Sequence, residues 1–274
     1  MELLDLSKRV KGVCLATNPS FGMDVLDQIA FFKQVGFDAF FTGINEDPIQ
    51  CREQAEKCGI VYRSVHAPND KTQFLWERSE GAREMTNAWI ECVDDCANAA
   101  VPIMVLHPFR FVDRLGIPKD HGVENLLPVV ERAAKRGVQI AIENSEGEDY
   151  LGTLLDAFAD CDHVGFCWDT GHELCFNRGL DMMARFGHRL IATHINDNLG
   201  VRDPAGKLTP KDDLHYLPFD GVTNWESVAA RLRGADYHDY VTLELKKSVR
   251  YEKMSGEEFI LQAYERAHRI LDMM

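Results

Sequence analysis

A chain of 274 residues, 45% hydrophobic and 27% charged, is long enough to bury a large core and is composed like an ordinary globular protein. Its net charge of −14 repels nucleic-acid phosphates, and no long Lys/Arg run supplies the basic footprint that backbone binding requires, so no nucleic-acid partner is expected. No apolar run reaches bilayer length and Met1 opens a polar–apolar mix without a signal-peptide core; no membrane partner and a cytoplasmic location are the expectations.

From the amino terminus, a strand-like stretch at 10–17 leads to a helical one at 23–35, and a strand at 37–42 to a helix at 48–58. A strand at 61–66 and a helix at 80–99 follow, then a strand at 102–107 and a helix at 121–136. Strands at 138–143, 163–169, 190–196 and 240–245 alternate with helices at 150–160, 179–187, 224–233 and 256–272. Gly36, Gly59 and Gly137 each stand between a helix and the next strand, where glycine accepts the left-handed conformation that closes a helix. Alternating buried strands and helices imply a parallel sheet with right-handed crossovers, and eight such units at this length close a barrel. The expected fold class is therefore α/β, a (β/α)8 TIM barrel forming a single domain over 1–274. An open doubly wound sheet is the alternative; no GxGxxG turn follows the first strand to support it.

Two segments interrupt the rhythm, a loop at 109–120 and a longer one at 197–222 that carries Asp213, His215 and a Pro/Gly turn; long loops in compact domains are commonly functional. The eight cysteines include no Cys-x-x-Cys pair, so free thiols and a reducing compartment are expected; Cys92 and Cys96, one helical turn apart, fit core packing as well as metal binding.

The strand ends carry the chemistry. His66 closes 61–66, His107 closes 102–107, Glu143 closes 138–143 and Asp169 closes 163–169, with His172 three residues on. His194 lies in 190–196 and Glu244 in 240–245. A buried strand has no use for an imidazole or carboxylate at its end. Each alone has a plain structural use, a histidine as a hydrogen-bonded packing residue, a glutamate as a cap for the next helix. Together they share one mouth, because the carboxyl ends of barrel strands form one face. His121, His163, His188, His238 and His268 fall elsewhere and read as surface or packing residues. Glu143, Asp169, His194 and Glu244 come from strands five to eight; mixed carboxylate and imidazole donors suit Mn²⁺, Zn²⁺, Co²⁺ or Mg²⁺. Cys167 reads as packing inside the barrel, and His172 as a partner of a ligand, a helix cap or a hydrogen-bond donor to substrate.

In these stretches the chain resembles the xylose-isomerase-like TIM barrels, a superfamily of sugar and sugar-phosphate isomerases and epimerases that includes type IV apurinic endonucleases. The matching segments are Ser64-Val65-His66-Ala67-Pro68, Leu106-His107-Pro108, Ile142-Glu143-Asn144, Trp168-Asp169-Thr170-Gly171-His172, His194-Ile195-Asn196-Asp197 and Leu243-Glu244-Leu245, which span strands three to eight. The resemblance implies that Glu143, Asp169, His194 and Glu244 bind one divalent ion, Mn²⁺ or Zn²⁺ first, with His66, His107 and His172 close by. It also implies an alternative. The endonuclease branch holds three zinc ions with further histidines and an Asp-x-His, and His66, His107, His172 and Asp213-Leu214-His215 supply those types as additional metal ligands. The charge of −14 and the lack of loops to grip a duplex favour the sugar branch.

The mechanism that fits is proton transfer at a carbon beside a carbonyl, through an enediolate stabilised by the ion. Glu143 and Glu244 are the expected acid and base, one removing a proton and the other returning it, unless both act as ligands only. His66, His107, His172, His215, Trp168 and Arg202 are the candidate contacts to a small carbohydrate. Trp168, Phe109 and Trp225 are apolar-wall candidates that serve equally as core, and Arg110 and Arg202 are loop cations that either meet an anionic group or are simply solvated. No clear anion cradle is legible, so an unphosphorylated sugar or polyol is expected. An inosose-type dehydratase and a non-catalytic sugar-binding barrel stay as further alternatives, and homo-oligomerisation is left open.

Overall fold

Eight strands form and all pair in parallel: β1 Gly12–Ala16, β2 Ala39–Gly43, β3 Val61–His66, β4 Ile103–Leu106, β5 Gln139–Glu143, β6 Val164–Asp169, β7 Leu190–His194 and β8 Tyr240–Leu243. The computed structural model describes residues 10–43, 45–110, 119, 121–203 and 205–274. The strands are ordered β7-β6-β5-β4-β3-β2-β1-β8. The ring is completed between β7 and β8 by a single parallel bridge, Ile195 to Leu243, with the Ile195 N–H donating to Thr242 O at 2.7 Å. This is the expected (β/α)8 barrel.

Burial explains the strand composition. β4 and β6 are buried along their whole length, as strands covered on both faces must be. Alternation then divides each strand. Cys14, Ala16, Ala39 and Phe41 pack together as one interior layer, and Ile103, Val105, Ala141 and Cys167 as another. Leu15, Phe40, Met104, Ile140, Phe166 and Trp168 belong to the larger cluster beneath the helices. Because successive side chains point to opposite faces, residues two apart share the interior. Val105 and His107, Ala141 and Glu143, and Cys167 and Asp169 are such pairs. Each candidate ligand is thus the last inward-facing side chain of its stave.

The helices start and stop where local chemistry dictates. They are α1 Val25–Val35, α2 Pro48–Cys58, α3 Glu80–Asn98, α4 Gly122–Arg136, α5 Glu148–Ala157, α6 Thr170–Cys175, α7 Met182–Phe186, α8 Trp225–Gly234 and α9 Gly256–Met273. Side chains of Asp24, Asp47, Ser79, Asn224 and Ser255 accept backbone N–H groups at helix starts. Gly59 ends α2 at φ 69°, a left-handed conformation that costs other residues more. The helix expected at 179–187 is shorter, and α6 precedes it directly after β6, because Asp169 caps it by accepting the His172 N–H at 2.6 Å. Of the loop expected at 109–120, only 109, 110 and 119 lie within the described residues. The loop after β7 holds a 3-10 turn, Pro210–Asp212, and an antiparallel bridge from Asp197 to Tyr216. Among the described residues no helix is long and apolar enough to cross a membrane, and all eight cysteines are free thiols.

One side chain ties three elements below the site. Arg189 donates to the carbonyls of Phe158 at 3.1 Å, Ala159 at 3.1 Å and Val164 at 2.6 Å, joining the end of α5 and the start of β6 to the entry of β7. Hydrogen bonds from a charged donor are among the stronger ones, although Phe158 O also accepts the Cys161 N–H at 3.0 Å. Replacing Arg189 with methionine is expected to lower the unfolding free energy by about 2 kcal/mol, measured by urea denaturation. A loss well under half that size would show that solvent satisfies these carbonyls equally well.

Candidate metal centre

The Glu143 carboxylate is completely buried, 0% exposed, at the end of β5, and four imidazoles surround it. Its oxygens lie 2.9 Å from His172 Nδ1, 2.9 Å from His194 Nδ1, 3.4 Å from His107 Nε2 and 3.5 Å from His66 Nε2. His194 Nδ1 is also 3.1 Å from Glu244 Oε2, and His215 Nε2 is 2.9 Å from Asp213 Oδ2. His172 spans the two halves, its Nε2 3.5 Å from Asp213 Oδ2.

His215 Nε2 and Asp213 are hydrogen-bonded, but the contacts to Glu143 are close without being aimed as hydrogen bonds. Both Glu143 oxygens, His172 Nδ1 and His194 Nδ1 are buried without an aligned partner among the described residues. Buried donor atoms this close together and without aligned partners fit the packing of ligands around a cation. Glu143, Asp169, His194 and Glu244 each offer a donor within 4.8 Å of the others, and this set fits a divalent ion held by oxygen and nitrogen. Two further groups satisfy the same criterion: His66, His107 and Glu143, and His172, Asp213 and His215. Cys167 also stands within reach of Glu143 and His194, beneath them in the barrel interior.

Backbone carbonyls set two tautomers. The His66 Nδ1–H donates to Ala67 O at 2.8 Å and the His215 Nδ1–H to Glu244 O at 3.0 Å; carbonyls only accept, so each Nδ1 carries the proton. Nε2 of each ring is left facing its carboxylate, the tautomer a metal ligand requires.

Asp169 is fixed by residues that the sequence reading did not single out. Asn196 Nδ2 donates to Asp169 Oδ2 at 2.9 Å, Asn144 Oδ1 accepts the Asp169 N–H at 2.7 Å, and Asn144 Nδ2 donates to Asn177 Oδ1 at 3.0 Å. Thr170 Oγ1 donates to Asn196 O at 2.7 Å. A Cβ on Gly171 would collide with Asn196 Oδ1, so the glycine of the Asp-Thr-Gly-His segment keeps this network closed. The available signal was adjacency: Asn144 follows Glu143, and Asn196 stands two residues after His194. Such partners hold ligand orientation and basicity.

Burial and mutual charge shift the titration of Glu143, Asp169, Asp213 and Glu244 and of His107, His172, His194 and His215. Burial raises the Glu143 carboxyl, but the His194 and His107 imidazoles outweigh it and hold it well below the usual carboxylate range. Burial opposed by His194 and His215 leaves Glu244 at about 2, and burial opposed by His215 and His172 leaves Asp213 far below normal. On the imidazole side, burial is overcome by Glu244 and Glu143 at His194 and by Asp169 and Asp213 at His172, so both rise well above 6.5. Burial overcome mainly by Asp213 lifts His215 to about 10. At Asp169 burial wins over His172, and the carboxyl rises to about 6. At His107 burial also wins, over Glu143, and lowers it.

A cavity of about 430 Å³ opens over the centre. His66, His107, His172, Asp213, His215 and Glu244 reach it. Glu143, Asp169 and His194 lie beneath, so Glu244, with 22% of its side chain exposed, is the one carboxylate of the central set facing the cavity. Loop residues missed in the sequence also line it, among them Asn18, Asn45, Glu46, Asn69 and Glu146. They had no signal, because loop residues carry no periodicity.

Two candidate substrate contacts are not on the cavity. Trp168 is fully buried under the helices, its Nε1 donating to Glu173 Oε2 at 2.9 Å and its ring covered by Arg231 at 4.5 Å. Asp169 takes the inward position on β6, so its neighbour must face outward. Arg202 in the loop after β7 binds Asp212 Oδ1 at 3.0 Å. Phe109 stacks on Tyr150 at 4.4 Å, and Trp225 donates to Asp197 Oδ2 at 3.3 Å, so both belong to the core. Arg110 does line the cavity and is hydrogen-bonded to Asn69.

The sequence model of the family described as "Xylose isomerase-like TIM barrel" matches residues 29–266. The uncharacterized protein y4fM of Sinorhizobium fredii is 30% identical over 263 residues, covering 79% of this chain and 80% of that protein. Among solved structures, the zinc-bound IolI protein superposes with a TM-score of 0.72 at 18% identity, over 94% of this chain and 98% of that one. The 3-keto-D-glucoside 4-epimerase YcjR of E. coli gives 0.71 at 16% identity, over 97% and 100%. Identity this low carries the fold alone.

Protons and a cation compete for this centre, with a definite sign. His215 keeps its proton up to about pH 10, and His172 and His194 keep theirs well above 6.5; a cation must displace these protons, and rising pH lowers that cost. Above about pH 6 the buried Asp169 ionises at a cost, which a cation relieves. Both effects make added Zn²⁺ or Mn²⁺ raise the melting temperature more at pH 8 than at pH 5, relative to protein in chelator. An equal or reversed difference would contradict this account of the charges.

Proposed function

This chain belongs to the xylose isomerase-like TIM barrel family, and from that premise we propose that it is a divalent-metal-dependent isomerase or epimerase of a small carbohydrate. Glu143, Asp169, His194 and Glu244 would hold the ion. The observation that carries the reading is the shared approach of Glu143 and Glu244 to one nitrogen of His194, at 2.9 and 3.1 Å, with only Glu244 open to the cavity. When bound, the ion supplies Lewis-acid stabilisation of the oxygen that gains charge as a neighbouring carbon is deprotonated.

The chain's own groups move the proton. Glu244, ionised at neutral pH and facing the cavity, takes it from the carbon beside the carbonyl; the C–H electron pair moves into the carbon skeleton and leaves its charge on the carbonyl oxygen. Glu143, ionised and beneath the cavity, serves as a ligand. His172, charged at neutral pH and lining the cavity, returns a proton, and Glu244 releases the one it took to solvent. Return at the same carbon from the opposite side epimerises it, and return at the adjoining carbon exchanges aldose and ketose. Phe41 stacks on the His194 ring at 4.8 Å and keeps water from that side of the centre. Similar solved structures include epimerases of a 3-keto-D-glucoside and of D-psicose, which supports a carbohydrate substrate.

A second reading has its own observation. The groups around His66 and His107 and around His172, Asp213 and His215 adjoin the central set, an arrangement that suits several ions and hence phosphodiester hydrolysis of the apurinic-endonuclease type. One set of measurements separates the two. Metal-loaded protein is expected to exchange solvent deuterium into ketoses or inososes and to leave abasic DNA intact. Glu244→Gln should slow exchange roughly a hundredfold or more with the ion retained. Robust incision of abasic DNA at physiological salt, with no exchange into any sugar, would favour the second reading over the first.

A further inference from the structure

The cation donors come from β3 to β8, and the cavity wall at the ends of β1 and β2 has a different composition. Thr17 sits just past β1, its N–H extending the ladder to Phe41 O at 2.9 Å. It lines the cavity, is 9% exposed, and its hydroxyl is buried with no hydrogen-bond partner among the described residues. An unpaired buried hydroxyl is costly, so this one is a place for a ligand atom. The register sets Leu15 opposite Leu243, which brings Thr17 to the rim beside the stave that carries Glu244.

The turn behind it is rigid. Gln28, almost fully buried, accepts the Asn18 N–H at 2.9 Å, donates to Asn18 O at 3.1 Å, and donates to Met23 O at 2.9 Å. Asn18 Oδ1 is engaged by the Ser20 N–H at 2.9 Å and Asn69 Oδ1 by Arg110, which leaves the amide N–H groups of these two cavity-lining residues as the donors for a ligand. These groups recognise oxygen, and charge decides which kind. Glu46 and Glu146 line the same cavity, whose other Lys/Arg content among the described residues is Arg110 alone. Below them, the carboxylates of Glu143, Asp169, Asp213 and Glu244 are largely offset by the charged His172, His194 and His215, so the two glutamates against one arginine set the sign at the rim. The field at the mouth is therefore negative and opposes an anionic substrate.

Resting on the isomerase reading, we propose that Thr17, Asn18 and Asn69 form a hydroxyl-binding wall facing the cation donors, and that the cavity selects uncharged polyhydroxy ketones over their phosphate esters. Hydroxyls beyond the reacting carbon bind this wall, which orients that carbon toward Glu244. Thr17 is a specificity residue, and Gln28 positions it.

The test is calorimetric binding to metal-loaded protein of a panel of uncharged ketohexoses and inososes, together with the phosphate esters of the same ketohexoses. Uncharged members are expected to bind at least tenfold tighter than their esters. Thr17→Val should weaken them about fivefold or more, the loss of one hydrogen bond, while Thr17→Ser restores binding and metal content stays constant. Glu46→Gln should narrow the gap between sugars and esters. A phosphate ester bound as tightly as its parent, or unchanged affinity in Thr17→Val, overturns the proposal. Deuterium exchange on the same panel separates it from the reading beneath it. Binding in this pattern without exchange removes the isomerase and leaves the wall; exchange with a preference for esters does the reverse; no binding at all ends both.

Discussion

A carboxylate with no contact to water cannot keep its charge unless something nearby supplies the opposite one. Glu143 is in that position, and four imidazoles from β3, the end of β4, α6 and β7 answer it at 2.9 to 3.5 Å. Three of the four are held by other contacts in turn: His66 by the Ala67 carbonyl, His172 by Asp213, His194 by Glu244. Removing Glu143 would leave several buried imidazoles facing one another, and removing a histidine would leave a buried carboxylate short of countercharge. Glu143 is therefore the group on which the mouth of the barrel depends, whatever the substrate.

Closure of the barrel makes the arrangement possible. A parallel strand places alternate residues inward, and eight staves bring their last inward residues to one ring. The same geometry decides what is excluded. Trp168 neighbours Asp169 in sequence, yet the pleat turns it outward to Arg231 and Glu173. On the floor, charge is concentrated and fixed by asparagines behind Asp169. On the rim, Thr17 and the amides around it are uncharged, which divides cation binding from recognition of hydroxyls.

Much of this was legible from residue order. The eight strand and helix pairs follow from alternating apolar runs and from glycines such as Gly59, because buried strands and helix ends leave strong local marks. The ring of donors was legible because ionisable groups at the ends of apolar runs are costly and few. Pleat direction was available too, and applying it to Trp168 would have placed that ring in the core. The limits of α6 were less visible, since a single capping bond from Asp169 starts it. Glu46 and Glu146 meet the site only across a cavity, and no local pattern announces a partner brought near by folding.

The central claim is that side chains from four consecutive staves share one cation. Crystals grown with Mn²⁺ or Zn²⁺ and measured at the absorption edge of the metal test it most directly. The account predicts an anomalous peak about 2.0–2.3 Å from donor atoms of Glu143, Asp169, His194 and Glu244. A peak elsewhere with none between these four, or no peak at saturating metal, would contradict it.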